Sequence, residues 1–227
     1  MTIATLILQN KWILELLYAL VIFAICIIIV LKTDRFYRIS LYQGIRYFRN
    51  AFLFYGIAFI GRYLFGLLAD ISFNHLFAAQ VFFEFFLIMA GFFLFYSLVW
   101  KKFESSKVHY STSLLNSRII LFELVAISLA VLDSLWNTYY LMFFSQIIIF
   151  FLASIIALSN YLKRDKKKNK FLKFYLIAMI LELTAWVLNY LVAAYFNWRH
   201  LVLVDISILN AIFFLLFLCG VIKITKR

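Results

Sequence analysis

Arg62, Glu84 and Glu182 are ionisable side chains set deep within apolar runs of a 227-residue chain. A charge at mid-depth in hydrocarbon costs about 2.5–3.5 kcal/mol on insertion scales, so it pairs or serves a function. The run "FYGIAFIGRYL" places Tyr55 two turns before Arg62, and "FYLIAMILELTAWVLNY" groups Tyr175, Glu182, Trp186 and Asn189. These seven residues form the candidate ligand-binding set. A planar guanidinium can engage two carboxylates at once. With hydroxyl, indole and amide groups nearby, such a set could hold a small solute or an ion, and Glu182 could exchange a proton as the ligand binds.

Other chemistries find no support. Cys26 and Cys219 lie singly in apolar runs, which makes them small packing residues rather than a disulfide framework or a metal site. No His cluster, metal-ligating set or Ser/His/Asp arrangement shares a helix face. The chain is therefore expected to be no enzyme and to carry no cofactor and no metal.

The elements that must position the candidates follow from composition. The chain is 67% hydrophobic and 21% aromatic, with a mean hydropathy of +1.00. That is more apolar surface than a water-soluble domain can hide. Apolar segments fall at 12–31, 50–69, 76–100, 118–136, 139–161, 172–196 and 201–222. Runs near 20 residues match the length of a membrane-crossing helix. Their continuous hydrophobicity is unlike the alternation of a membrane β-barrel. The expected fold is a single all-α membrane domain over 1–227, a seven-helix bundle.

Charge sets the expected orientation. All Lys and Arg except Lys11, Arg62 and Arg199 lie after segments 1, 3, 5 and 7, as in "KRDKKKNKFLK" and the terminal "KITKR". The positive-inside rule then places the N-terminus outside and the C-terminus in the cytoplasm, in the cell membrane. The first residues lack a basic start and a small-residue cleavage site, so no removable signal peptide is expected. The net charge of +12 is mostly this topology signal. It implies contact of the cytoplasmic loops with anionic lipid headgroups, worth about 1 kcal/mol per basic residue, and no nucleic acid. The sequence leaves the oligomeric state open.

Depth counting pairs the candidates. Arg62 stands about 18 Å above Asn50, and Glu84 about 12 Å below Leu76, at 1.5 Å per residue. In a layer of about 30 Å these heights coincide, making Glu84 the first-choice partner of Arg62. Glu182 is a rival one turn lower, and all three could form a triad. Stripes of small and polar residues add Asp133 on segment 4, Gln146 on segment 5 and Asn210 on segment 7. Asp133 is expected to be solvated near the outer interface.

Segments 2 and 6 also echo one another, through Phe54/Phe174, Tyr55/Tyr175, Ile57/Ile177, Ala58/Ala178 and Ile60/Ile180. The echo suggests a parallel repeat of helices 1–3 and 5–7, with helix 4 as the connector. At the level of architecture this resembles SWEET-type sugar carriers and related vitamin permeases. Their proline-hinged helices have no counterpart here, because the chain has no proline. Microbial rhodopsins share the helix number and orientation, but segment 7 holds no lysine before Lys223 to carry a retinal Schiff base. The functions consistent with the sequence are a small-solute or ion transporter, a sensor signalling through basic loops, or a non-catalytic subunit of a membrane complex.

Overall fold

A computed structural model of the protein describes residues 11–68, 73–103, 117–163, 170–195 and 200–225. Among these residues there are seven α-helices and no strand. They are α1 (Lys11–Ser40), α2 (Gln43–Leu68), α3 (Phe73–Phe103), α4 (Ser117–Leu135), α5 (Tyr140–Leu162), α6 (Lys170–Tyr195) and α7 (His200–Thr225).

Four stretches are long and apolar enough to cross a membrane: Leu16–Ser40, Phe77–Trp100, Tyr140–Leu162 and Leu172–Tyr195. Of the other helices, α2 carries Arg46, Arg49 and Arg62, and α4 carries Arg118, Glu123 and Asp133. Large apolar side chains also cover the outside of the molecule, among them Leu121, Leu124, Phe144, Phe151 and Ile155. A continuous apolar exterior of this kind suits lipid, not water.

Five of the helices keep close to the apolar segments. The first two do not. Helix α1 runs to Ser40, and α2 begins at Gln43, before the apolar stretch starts. Hydropathy marks where lipid ends, whereas a helix stops where its hydrogen-bond ladder is broken. Here the ladder continues through charged turns. The Arg38 Nε donates to Asp34 Oδ2 at 2.9 Å, one turn away. Arg49, from α2, also pairs with Asp34 and lies 5.8 Å from the centre of the Tyr37 ring. The stop comes at Leu41, whose φ of 52° is left-handed and whose N–H bonds to the Tyr37 carbonyl at 2.8 Å. This is a helix C-terminal cap made without the usual glycine. Just beyond it, Gly44 leaves room for the Trp100 indole, since a Cβ there would stand 2.6 Å from its Nε1.

Each helix packs on its chain neighbours at α1–α2, α2–α3, α5–α6 and α6–α7. Contacts α3–α5 and α7–α1 close these into a ring of six. Helix α4 lies outside the ring against α3 and α5. The ring interior is aromatic. Phe48 and Phe52 of α2 meet Phe213, Phe214 and Phe217 of α7 at centroid separations of 5.2–6.5 Å.

Side-chain hydrogen bonds tie the ring across its middle. The Tyr175 hydroxyl of α6 lies 3.0 Å from both the Leu94 carbonyl, to which it donates, and Ser97 Oγ of α3. The Gln146 amide of α5 donates to the Leu87 carbonyl of α3 at 3.0 Å. Gly91 makes that approach feasible, because a Cβ there would sit 2.7 Å from Gln146 Oε1.

Candidate functional site

Three helices share a common register in one half of the ring. Phe48 on α2, Tyr175 on α6 and Phe217 on α7 are in mutual contact, with centroids 6.0, 5.3 and 5.2 Å apart. Seven residues is just under two helical turns, so it returns to the same face about 10 Å further along. On these three helices that step leads to Tyr55, Glu182 and Asn210. All three have a buried polar atom without a hydrogen-bond partner: Tyr55 Oη, Glu182 Oε2 and Asn210 Oδ1. Tyr55 is fully buried and Glu182 is 2% exposed. The Glu182 carboxyl is within electrostatic reach of the Tyr55 hydroxyl.

The walls of this polar layer are aromatic. Phe213 and Phe214 lie 6.2 and 5.4 Å from the Tyr55 ring. One turn beyond Glu182, Trp186 is buried, with its indole Nε1 unpartnered and its ring 6.0 Å from Phe143. Below this layer, Phe48, Phe52, Tyr175 and Phe217 pack ring against ring as a floor. Most buried polar groups in proteins find a partner. Among the described residues ten buried polar atoms lack one, and Tyr55, Glu182, Trp186 and Asn210 contribute four of them.

The charge balance is one-sided. Glu84, Asp133 and Glu182 are buried, while no Lys, Arg or His is buried among the described residues. Asp133 is satisfied locally and is not the solvated residue expected from its position in the sequence. Its Oδ1 accepts from the Thr138 hydroxyl at 2.5 Å, and its Oδ2 accepts from the Met142 N–H at 2.9 Å. It therefore caps the start of α5 from the end of α4. Asn137, with φ 52°, makes the turn between them.

Glu84 belongs to that same corner. Its Oε1 accepts from Gln80 Nε2 at 2.7 Å, and the same nitrogen donates to the Thr138 carbonyl at 2.6 Å. The expected Arg62–Glu84 ion pair is not made. Among the described residues the ion pairs are those of Asp34 with Arg38 and Arg49. Arg62 is exposed, and its guanidinium lies over the Phe83 ring, 4.7 Å from the centroid. Phe83 and Glu84 are about 100° apart around α3. The guanidinium sits on the Phe83 ring and acts on the Glu84 carboxyl only at a distance. An exposed cation over a ring contributes about 0.5–1 kcal/mol, well below the several kcal/mol at stake in a buried ion pair.

Of the seven sequence candidates, Tyr55, Glu182 and Trp186 therefore line the polar layer. Tyr175 belongs to the floor, with its hydroxyl engaged. Asn189 is half-buried two turns outward on α6. Arg62 and Glu84 lie elsewhere, so the three-residue charge cluster does not form. Asn210 joins the layer, and the signal for it was the small-and-polar stripe on α7.

No protein-family model matches the chain, and no solved structure matches it. An uncharacterised protein of Archaeoglobus fulgidus is 34% identical over 101 residues, covering 40% of this chain and 44% of that protein. The chain thus spans less than half the length of this relative.

Proposed function

We propose that the protein is a multi-pass carrier of a small solute or ion in the cell membrane. In this reading all seven helices cross the bilayer, with the N-terminus outside and the C-terminus in the cytoplasm. It is no enzyme. The basic residues at the cytoplasmic helix ends contact anionic lipid headgroups.

The observation that supports transport is the set of unpartnered buried polar atoms of Tyr55, Glu182, Trp186 and Asn210 on the ring helices α2, α6 and α7. Polar and ionisable groups inside a membrane bundle mark ligand pathways. The ring also has the adjacency of a parallel repeat. Exchanging α1, α2 and α3 for α5, α6 and α7 turns the α3–α5 contact into α7–α1 and leaves the list of ring neighbours unchanged. Helix α4 then serves as the connector. The aromatic floor closes the cytoplasmic side, so the ligand enters from outside.

A sensor is the second reading. It is favoured by unbroken helices of 26–31 residues in α1, α2, α3, α6 and α7, since many secondary transporters use interrupted ones.

The test is reconstitution of the purified protein in liposomes under gradients of small neutral solutes and alkali salts. Flux should be followed by light scattering and a potential-sensitive dye. Transport predicts flux above that of protein-free liposomes for at least one gradient. A folded, correctly inserted protein that moves none of them would leave the sensor reading.

A further inference from the structure

The unpartnered groups of the central layer differ in what they can bind. Glu182 brings a full negative charge, Asn210 an amide oxygen and Tyr55 a hydroxyl oxygen. All are hard oxygen donors, which suit alkali and alkaline-earth ions rather than soft metals. No buried basic side chain among the described residues answers the Glu182 charge. The other two buried carboxylates differ in this respect. Asp133 has the α5 N-terminus and a hydroxyl, and Glu84, although its Oε2 is also unpartnered, has the Arg62 guanidinium within electrostatic reach. Glu182 is thus the acid whose counter-charge the chain does not supply.

We propose that Glu182, Tyr55 and Asn210 form a binding site for a dehydrated monovalent alkali cation, with the Glu182 carboxylate as its counter-charge. One carboxylate balances one positive charge, which favours a monovalent over a divalent ion. No group of three His, Cys, Asp or Glu that could hold a metal occurs among the described residues. The rings of Phe213, Phe214 and Trp186 exclude water around the ion, and a low-dielectric surround strengthens its attraction to the carboxylate. The inference deepens the transport reading and rests on the same central layer.

The test is thermal unfolding of the purified full-length protein at one mildly alkaline pH, in sodium, potassium or N-methylglucamine chloride of equal ionic strength. Sodium or potassium at about 100 times its Kd should raise Tm by on the order of 5 °C over the bulky organic cation. Glu182→Gln should abolish that difference, and Tyr55→Phe and Asn210→Ala should each reduce it. Should Glu182→Gln fail to fold, equilibrium binding of radioactive sodium and potassium to wild type, Tyr55→Phe and Asn210→Ala replaces it, with weaker binding expected in both variants. Equal Tm in all three salts, as for a carboxyl neutralised by a proton, would overturn the proposal. So would an alkali-ion shift that survives in Glu182→Gln, or radioactive-ion binding that both other variants retain in full. Binding without flux would keep this site and remove the transport reading. Flux indifferent to alkali ions would do the reverse.

Discussion

Glu182→Gln is expected to abolish flux in reconstituted liposomes while leaving the protein folded and inserted. The substitution keeps the shape of the side chain and removes the charge. In the folded protein no hydrogen bond to Glu182 Oε2 is lost, because none is made. Nor is any salt bridge broken, so in N-methylglucamine, with no alkali ion bound, stability should be unchanged or slightly raised, since an uncompensated buried charge is itself costly. Transport that depends on the carboxylate should fall to the level of protein-free liposomes. Flux and thermal stability measured on the same preparation separate the two roles. A structural Glu182 would give a less stable protein whose surviving flux has its normal ion dependence.

Asp133→Ala should produce the largest loss of stability, about 3 kcal/mol. Two hydrogen bonds to a charged acceptor disappear, each contributing about 1.5–3 kcal/mol, and the buried Met142 N–H loses its partner. The α5 N-terminus also loses a favourably placed negative charge. Asp133→Asn should cost about half as much, because an amide oxygen still caps the helix. Chemical unfolding in detergent measures both. A loss below about 1 kcal/mol for Asp133→Ala would mean that the α4–α5 turn does not depend on this cap.

The same residues show what the sequence could and could not reveal. Helix positions were legible because lipid-length apolar runs leave little freedom. The extension of α1 to Ser40 was not, because its last turns are charged, and one of the two Asp34 pairings that hold them, with Arg49, comes from a different helix. Depth was legible as well, since 1.5 Å per residue is fixed by helix geometry. Depth counting placed Arg62 and Glu84 at one height but carried no information on direction around the axis. One residue of rotation separates Phe83, which Arg62 covers, from Glu84.

The stripes did carry direction. Tyr175, Ala178, Glu182 and Ala185 are all buried, as the small-and-polar stripe on α6 implied. Glu182 and Asn210 were legible as inward polar positions. Their alignment with Tyr55 depends on how α2, α6 and α7 are shifted along one another. That is a tertiary fact, fixed by the contact of Phe48, Tyr175 and Phe217.

The account holds that the central polar layer is a path reached from outside and closed toward the cytoplasm. Ala185, fully buried on α6 between Glu182 and Trp186, reports on it directly. In a background with Cys26→Ala and Cys219→Ala, Ala185→Cys should be modified by a membrane-impermeant thiol reagent added outside sealed vesicles of known orientation. The same reagent confined to the cytoplasmic side should react far more slowly. A thiol at this position that stays unmodified from both sides, in a protein that is folded and inserted, would contradict the account and make the layer a dry structural core.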